Sequence, residues 1–474
     1  MKVASSLDLL QRDRAVYEIS DNGGIVLKSP QKFIDQTLDA LVWDSVFGEN
    51  EEVRATARWV LRRAGLELGV VPASIQALYD ARGRGETRGF TVPALNVRAL
   101  TYDVARAAFR AALRSKTGAF IFELSRGESN FTNQRPCEFA PVIVAAAIRE
   151  GFEGPVFIQG DHYQTNANKF AKDPDGELHV IRQLIEESIQ AGYYNLDIDT
   201  STLVNLTQPG VREQQRANFE NSAKLASHVR ALQPQGITIS LGGEIGEVGK
   251  KNSTPEELTA YVDGFMAAVA KNGGKPKGLS KISVQTGTTH GGVVLADGTV
   301  AQVAIDFETL RGLSALARER YGMAGVVQHG ASTLPPGAFH KFAECEAAEV
   351  HLATEFTNMI YENVAFPREL KEEIYRHLRK ACADEKLPGD TDEQFIYKTR
   401  KKALGPFKRK FWELPADVRS RIGSDLEGKF AFLFEQLNVR RTAELVKKTV
   451  PLVPICPAMP PALAESLHRV QAAS

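Results

Sequence analysis

The sequence predicts an α/β fold, a (β/α)8 TIM barrel carrying a helical extension at its N-terminus and a helical arm at its C-terminus. Between about residues 73 and 362, eight short β-type runs alternate with amphipathic helical stretches, the repeat a closed parallel barrel requires. The glycine-rich first turn typical of an open doubly wound sheet is absent. Acids and histidines stand at the carboxyl ends of the third to seventh runs, where barrels of this kind place their chemistry.

Each element follows from its own pattern. In residues 1–72, SPQKFIDQTLDALVWDSVF and NEEVRATARWVLRRAGLELG space apolar residues at roughly i, i+3, i+4 and i+7, which reads as amphipathic helix. The barrel, 73–365, takes its strands from FTVPALNV (90–97), GAFIFEL (118–124), GPVFIQG (154–160), YYNLDID (193–199), GITISLG (236–242), KISVQT (281–286), GVVQH (325–329) and EVHLAT (349–354). Helical stretches such as TYDVARAAFRAALRS, LHVIRQLIEESIQAG and PEELTAYVDGFMAAVAKN lie between them. From 366 to 474 the chain turns helical, charged and loop-broken, and it closes with VPLVPICPAMPP, which reads as an extended strap or disordered tail.

Composition narrows the function classes. The 474 residues hold 58 Lys+Arg against 58 Asp+Glu, so no global basic field supports nucleic-acid binding. Four scattered cysteines, none at metal or redox spacing, fit a reducing compartment. No apolar run approaches the ~20 residues of a membrane span, and MKVASSLDLLQRDR interrupts its apolar residues too early for a signal peptide. The expectation is a cytoplasmic protein.

Three histidines carry the chemistry: His162 in QGDHYQ, His290 in TGTTHGG and His329 in VVQHGAST. Imidazole is a good zinc ligand, and three with an open fourth position suit a catalytic rather than structural metal site, whereas each histidine taken alone reads equally as an ordinary surface or core residue. Two of them precede glycine, which lets a backbone N–H approach an anion. No HExxH or CxxC pattern is present, so the signal comes from their placement on strands three, six and seven.

These motifs, in order, resemble the class II, metal-dependent fructose-bisphosphate aldolases. GETRGFTVPALNVRALTYDVARAAFRAALRSKTGAFIFELSRGE is similar to the opening of that family, QGDHYQ to its Asp-His motif, LDIDTS to its Ile-Asp turn, GGEIGEVG to its Glu-Leu-Gly segment and HGAST to its phosphate loop. The resemblance covers about 73–362, and the tail faintly resembles the C-terminal arm of the longer bacterial branch. It implies one catalytic zinc ion on His162, His290 and His329, with Asp199 and Glu244 at alternative positions for the metal, a second metal or a monovalent cation. It implies that Asp161 moves the proton of the C4 hydroxyl; as a bare residue, Asp161 could equally be a carboxylate that only orients a histidine. Phosphate and substrate contacts are implied at Asn96, Ser125, Gly291, Gly330, Ala331, Ser332, His351, Ala353 and Thr354. Ser332 also suits a helix N-cap, a compatible role.

The implied activity is that of a glycolytic lyase. It would cleave a ketose bisphosphate, most simply fructose 1,6-bisphosphate, to dihydroxyacetone phosphate and glyceraldehyde 3-phosphate. An aldolase for tagatose 1,6-bisphosphate and a non-catalytic barrel subunit are the alternatives. A homo-oligomer is expected, with a sugar phosphate as the only other partner. Three departures stand out. THGGVVLADG lacks the family's phosphate-binding lysine, for which Lys250 or Lys251 is a substitute. GEVGKKNSTPEEL lacks the loop glutamate of the second proton transfer, leaving Glu247, Glu256 and Glu257 as candidates, the last two better suited to a helix first turn. His351 stands where the family has asparagine.

Overall fold

The computed structural model describes residues 3–20, 23–246, 251–273, 277–287 and 305–472. The chain begins with a helix, Ser6–Asp13, and an antiparallel hairpin of β1 (Tyr17–Ile19) and β2 (Ile25–Leu27). Strands of three residues are too short for alternation to register in sequence, so periodicity does not announce them. Helices Leu38–Phe47 and Glu51–Glu67 follow, then β3 (Val70–Ala73). Asn50 caps the second of these helices by accepting from the Val53 amide, with Glu51 and Glu52 in its first turn.

The barrel strands are β4 (Val92–Asn96), β5 (Ile121–Ser125), β6 (Gly154–Gln164), β7 (Asn195–Asp199), β8 (Ser240–Glu244), β9 (Lys281–Val284), β10 (Val326–Gln328) and β11 (Glu349–Leu352). They pair in parallel in chain order, and β11 returns to β4, closing the (β/α)8 ring. All eight fall on the eight predicted runs. β6 is the longest, with 11 residues. Its first half, Gly154–Phe157, takes β3 as a parallel neighbour, whereas its second half, from Gln159, pairs with β7. The extension is thereby hydrogen-bonded into the barrel sheet.

The arm is packed structure. Its long helix, Ala416–Gln436, lies along helix Thr101–Ser115, where Phe434 meets Phe120 at 5.3 Å between ring centroids. Arg110 donates to Glu427 at 2.6 Å and Arg419 to Asp103 at 3.1 Å along the seam. The proline-rich segment returns over the extension, where Trp59 Nε1 donates to Pro457 O at 3.2 Å. Among the described residues, no helix is long and apolar enough to cross a membrane.

The barrel interior departs from the usual layers of branched apolar side chains. Glu123, Gln159, Asp197, Lys281 and Glu349 are all buried there. The Lys281 ammonium donates to Gln159 at 2.7 Å, lies 3.0 Å from an Asp197 oxygen and contacts Glu349. Gln159 also donates to Glu123 at 2.7 Å, and Tyr79 donates to Glu349. Although burial raises the Glu349 pKa, Lys281 and His351 outweigh it and bring it down to about 2. Burial dominates at Glu123 and pushes it up to about 8, despite the His351 imidazole beside it.

Candidate active site

The carboxyl ends of the strands open into a cavity of about 400 Å³. Asn96, Ser125, Asp161, His162, His329, Gly330, Ser332, His351, Ala353 and Thr354 all line it, residues the sequence scatters over five segments. Ala331 is fully buried and outside this lining. Asp199 and Glu244 meet the cavity indirectly, through His162. His290 and Gly291 lie outside the described residues, as do Glu247 and Lys250.

A bulge in β6 explains how consecutive residues share the cavity. Regular strands point neighbours to opposite faces. Between Gly160 and Tyr163, however, β6 holds one more residue than β7, and His162 adopts φ +40°. Both Asp161 and His162 then reach the cavity. Tyr163 folds back over Gly160 so closely that a Cβ there would stand 2.4 Å from its ring. A non-glycine residue in this conformation is strained, and the cost is typical of functional sites. Gly160→Ala is expected to shift the bulge and reduce activity by at least about tenfold while most of the fold persists, measurable as lost turnover with a near-native far-UV spectrum.

His162 is held from both edges. Its Nδ1 lies 3.0 Å from Asp199 Oδ2 and 2.8 Å from Glu244 Oε2, and its Nε2 lies 3.0 Å from His329 Nδ1. Asp199 stays ionised because its bonds to His162 and Ser201 outweigh burial. Burial and the neighbouring Asp199 push Glu244 up to about 7. An ionised carboxylate only accepts, so Nδ1 donates to Asp199. Burial lowers the His162 pKa, but Asp161, Glu244 and Asp199 outweigh it and hold that pKa well above the ordinary imidazole value, so Nε2 also carries a proton, shared with His329 Nδ1. Ser283 Oγ, 3.0 Å from His329 Nε2, accepts that N–H in the tautomer that leaves Nδ1 unprotonated.

The proton between these two imidazole nitrogens occupies the place that a cation would take in exchange for it. Tetrahedral zinc with nitrogen ligands at about 2.0–2.1 Å separates two such nitrogens by roughly 3.3 Å, so the observed 3.0 Å needs little adjustment. Asp161, His162 and His329 gather their ligand atoms within 4.8 Å of one another, as do His162, Asp199 and Glu244. The donor set fits a divalent cation, with the second group as an alternative position.

Asp161 is buried and oriented by two donors. Asn96 Nδ2 reaches Oδ2 at 3.0 Å, and His351 Nδ1 lies 3.2 Å from Oδ1. Burial raises its pKa, but His162, His351 and His329 together hold it well below the ordinary carboxylate range. His351 joins this carboxylate to the charged interior, with Nε2 2.8 Å from Glu349 and Nδ1 3.1 Å from Glu123. In the rim opposite, Ser332 Oγ accepts from the Ala353 amide at 2.7 Å. Ser125 caps helix Arg126–Phe131 in a capping box with Glu128.

Several residues on the cavity wall are absent from the sequence reading. Arg98, just beyond β4, pairs with Glu128 and reaches Thr354 Oγ1 at 3.5 Å. From the arm come Tyr397, Lys398, Arg400 and Lys401. Arg98 could have been suspected from its place two residues after Asn96; the arm residues carry no local signal. Lys251, a candidate phosphate cation, is exposed and lies 3.5 Å from Glu257, whose carboxylate closes the capping box with Thr254.

The family description "Fructose-bisphosphate aldolase class-II" matches residues 78–406. The chain belongs to this family. Membership in this aldolase family agrees with the ordered motifs and makes a lyase-type, generally metal-dependent chemistry the frame for the site. Among solved structures, the class II aldolase chain is similar to the fructuronate-tagaturonate epimerase UxaE from Cohnella laeviribosi. Identity is 13%, the match covers 84% of this chain and 90% of that one, and the TM-score is 0.57. A probable tagatose 6 phosphate kinase from Sinorhizobium meliloti 1021 matches at 17% identity over 80% of this chain and 98% of that one, TM-score 0.50. Fructose-bisphosphate aldolase from Campylobacter jejuni matches at 16% identity, 79% and 98% coverage, TM-score 0.46. At these identities the likeness is one of fold. No curated protein matches.

Proposed function

We propose that this class II aldolase family member is a zinc-dependent aldolase. It would reversibly cleave a ketose bisphosphate, in the first instance fructose 1,6-bisphosphate, to dihydroxyacetone phosphate and glyceraldehyde 3-phosphate. The observation that carries the reading is the β6 bulge, which sets an ionised, doubly oriented Asp161 beside a His162 whose Nε2 faces His329. His162 and His329 would hold the cation together with His290, and Asp199 and Glu244 would hold His162 or an alternative cation position. A divalent cation there supplies Lewis-acid stabilisation of the charge that develops beside the ketone when C3–C4 breaks.

The chain's own residues do the rest. Asp161 takes the proton of the C4 hydroxyl in cleavage and returns it in condensation, and its low pKa keeps it in the accepting form at neutral pH. Asn96 and His351 fix the carboxylate plane, so the proton transfer needs no side-chain search. Gly330, Ser332 and Thr354, at the ends of β10 and β11, suit a phosphate in the position recurrent for such barrels.

Epimerisation of a sugar acid is the second reading, favoured by the epimerase fold match over 84% of the chain. It uses the same C3–C4 cleavage, followed by re-addition to the opposite face of the aldehyde. An assay across fructose and tagatose 1,6-bisphosphates and hexuronates, with and without added zinc, separates the readings. Triose phosphate release supports the aldolase, and interconversion without release supports the epimerase. Neither product from any of these substrates, with metal bound, would sink both and favour a non-catalytic barrel. Removing the metal with a chelator should abolish turnover, and His329→Ala should lower metal content and activity together; full metal occupancy in that variant, measured by elemental analysis, would refute its place as a ligand.

A further inference from the structure

We propose that the C-terminal arm is part of the substrate site and that Lys401, together with Arg98, binds a terminal phosphate of the sugar. The inference rests on the reading of this cavity as the place where a phosphorylated ketose is handled, and it names the cations that take the part of the missing family lysine.

The arm is fastened across the rim at both sides of the cavity. Asn358, on the helix after β11, donates to Tyr397 OH at 3.1 Å, and Tyr361 of the same helix donates to Arg400 O at 3.1 Å. On the β5 side, the Gly405 amide donates to Phe131 O at 3.0 Å, and Lys408 donates to Asn133 O at 2.7 Å. A Cβ at Gly405 would stand 2.6 Å from Phe131 O, so this backbone approach requires glycine. The 3-10 turn Arg400–Ala403 is thus held over the strand ends as a fixed wall.

The cations on this wall differ in how they are used. Lys398 pairs with Asp390 at 2.7 Å. Arg400 pairs with Glu362 at 2.5 Å, donates to Asn358 at 2.6 Å and stacks over Tyr397. Lys401 lines the cavity, and among the described residues it has no carboxylate within ion-pair distance. Desolvation and then the nearby Arg98 guanidinium lower its pKa from the ordinary lysine value. Glu128, which pairs with Arg98, offsets one of these two cations and raises the Lys401 pKa in part, so the pair keeps a net positive charge toward an anion in the cavity. Arg98 Nη1 points to Thr354, at the start of the helix after β11, and Thr333, which also lines the cavity, has a buried Oγ1 with no hydrogen-bond partner among the described residues. Hydroxyl donors beside a guanidinium and an ammonium suit the several oxygens of a phosphate dianion.

The test uses the full-length, metal-loaded protein with inorganic phosphate, fructose 1,6-bisphosphate and glucuronate as calorimetric probes. A charge-assisted contact of ordinary strength corresponds to a loss of about 10–100-fold in affinity. Lys401→Ala should weaken phosphate and bisphosphate binding by that factor, and Lys401→Arg should restore most of it. If the protein cleaves the bisphosphate, the alanine variant should raise KM by a similar factor with kcat changed by less than about threefold. Unchanged phosphate and bisphosphate affinity in Lys401→Ala would overturn the proposal, as would Lys401-dependent binding of glucuronate with no binding of phosphate. Lys401-dependent phosphate binding in a protein that cleaves no ketose bisphosphate would overturn the proposed reaction and leave this site standing.

Discussion

Replacing Asp161 by alanine is expected to leave a folded, metal-loaded protein whose aldol cleavage is slower by roughly 10²–10⁴-fold. Asp161 touches Asn96 and His351, while His162 keeps Asp199, Glu244 and His329 as neighbours, so the cation donors outlast the loss. The effect should therefore fall on kcat, with KM changing little. Asp161→Asn is the sharper variant, because it preserves shape and hydrogen bonding to Asn96 and removes only the capacity to accept the proton. Single-turnover cleavage and metal content measured on the same preparation check the prediction. A rate within a fewfold of wild type would reduce Asp161 to a group that merely orients His351, and a loss of metal would make it part of the cation site.

Lys281→Met should produce the largest loss of stability. Its ammonium is fully buried between Asp197 and Glu349, and Gln159 accepts its third hydrogen. Removing one partner of a buried ion pair costs about 3–5 kcal/mol, because the remaining charge is left in a medium that cannot solvate it. That is a large part of the ~5–15 kcal/mol that holds an ordinary domain. Denaturant titration should show the midpoint fall accordingly, and Glu349→Gln in the same chain should recover part of it by removing the stranded charge. A midpoint within experimental scatter of wild type would show that Lys281 is dispensable to the interior. The sign with pH follows from Glu349. Its folded pKa of about 2 lies below the ordinary value, so the stability it contributes is present above about pH 4.5 and is lost as pH falls toward 2.

Much of the barrel was legible because each strand announces itself locally. FIFEL, NLDID and KISV are short, apolar-rich and bounded by helical periods, so eight runs in sequence led to eight strands in space. The chemistry at the strand ends was legible for the same reason: once the strands are placed, Asp161, His162, Asp199, Glu244 and His329 fall on one rim. The interior layer was not legible. Lys281, Glu349 and Asp197 sit in short runs that alternate polar and apolar residues, KISV, EVHL and NLDID, and alternation assigns the polar set equally well to a solvated or a buried face. Only the closed ring of strands decides that they face one another. Lys401 was hidden for a different reason, since a basic residue in a charged arm looks like solvated surface until the arm is seen to cross the cavity.

The sequence by itself determined the class of fold, the order of its strands and the family, because strand periodicity and strand-end motifs are local properties. Tertiary structure decided that Asp161 and His162 act on the same cavity, through a one-residue bulge and a left-handed backbone at His162. It also decided that the interior is held by charge and that the arm completes the cavity wall. Each of these depends on contacts between residues tens to hundreds of positions apart, which no local spacing encodes.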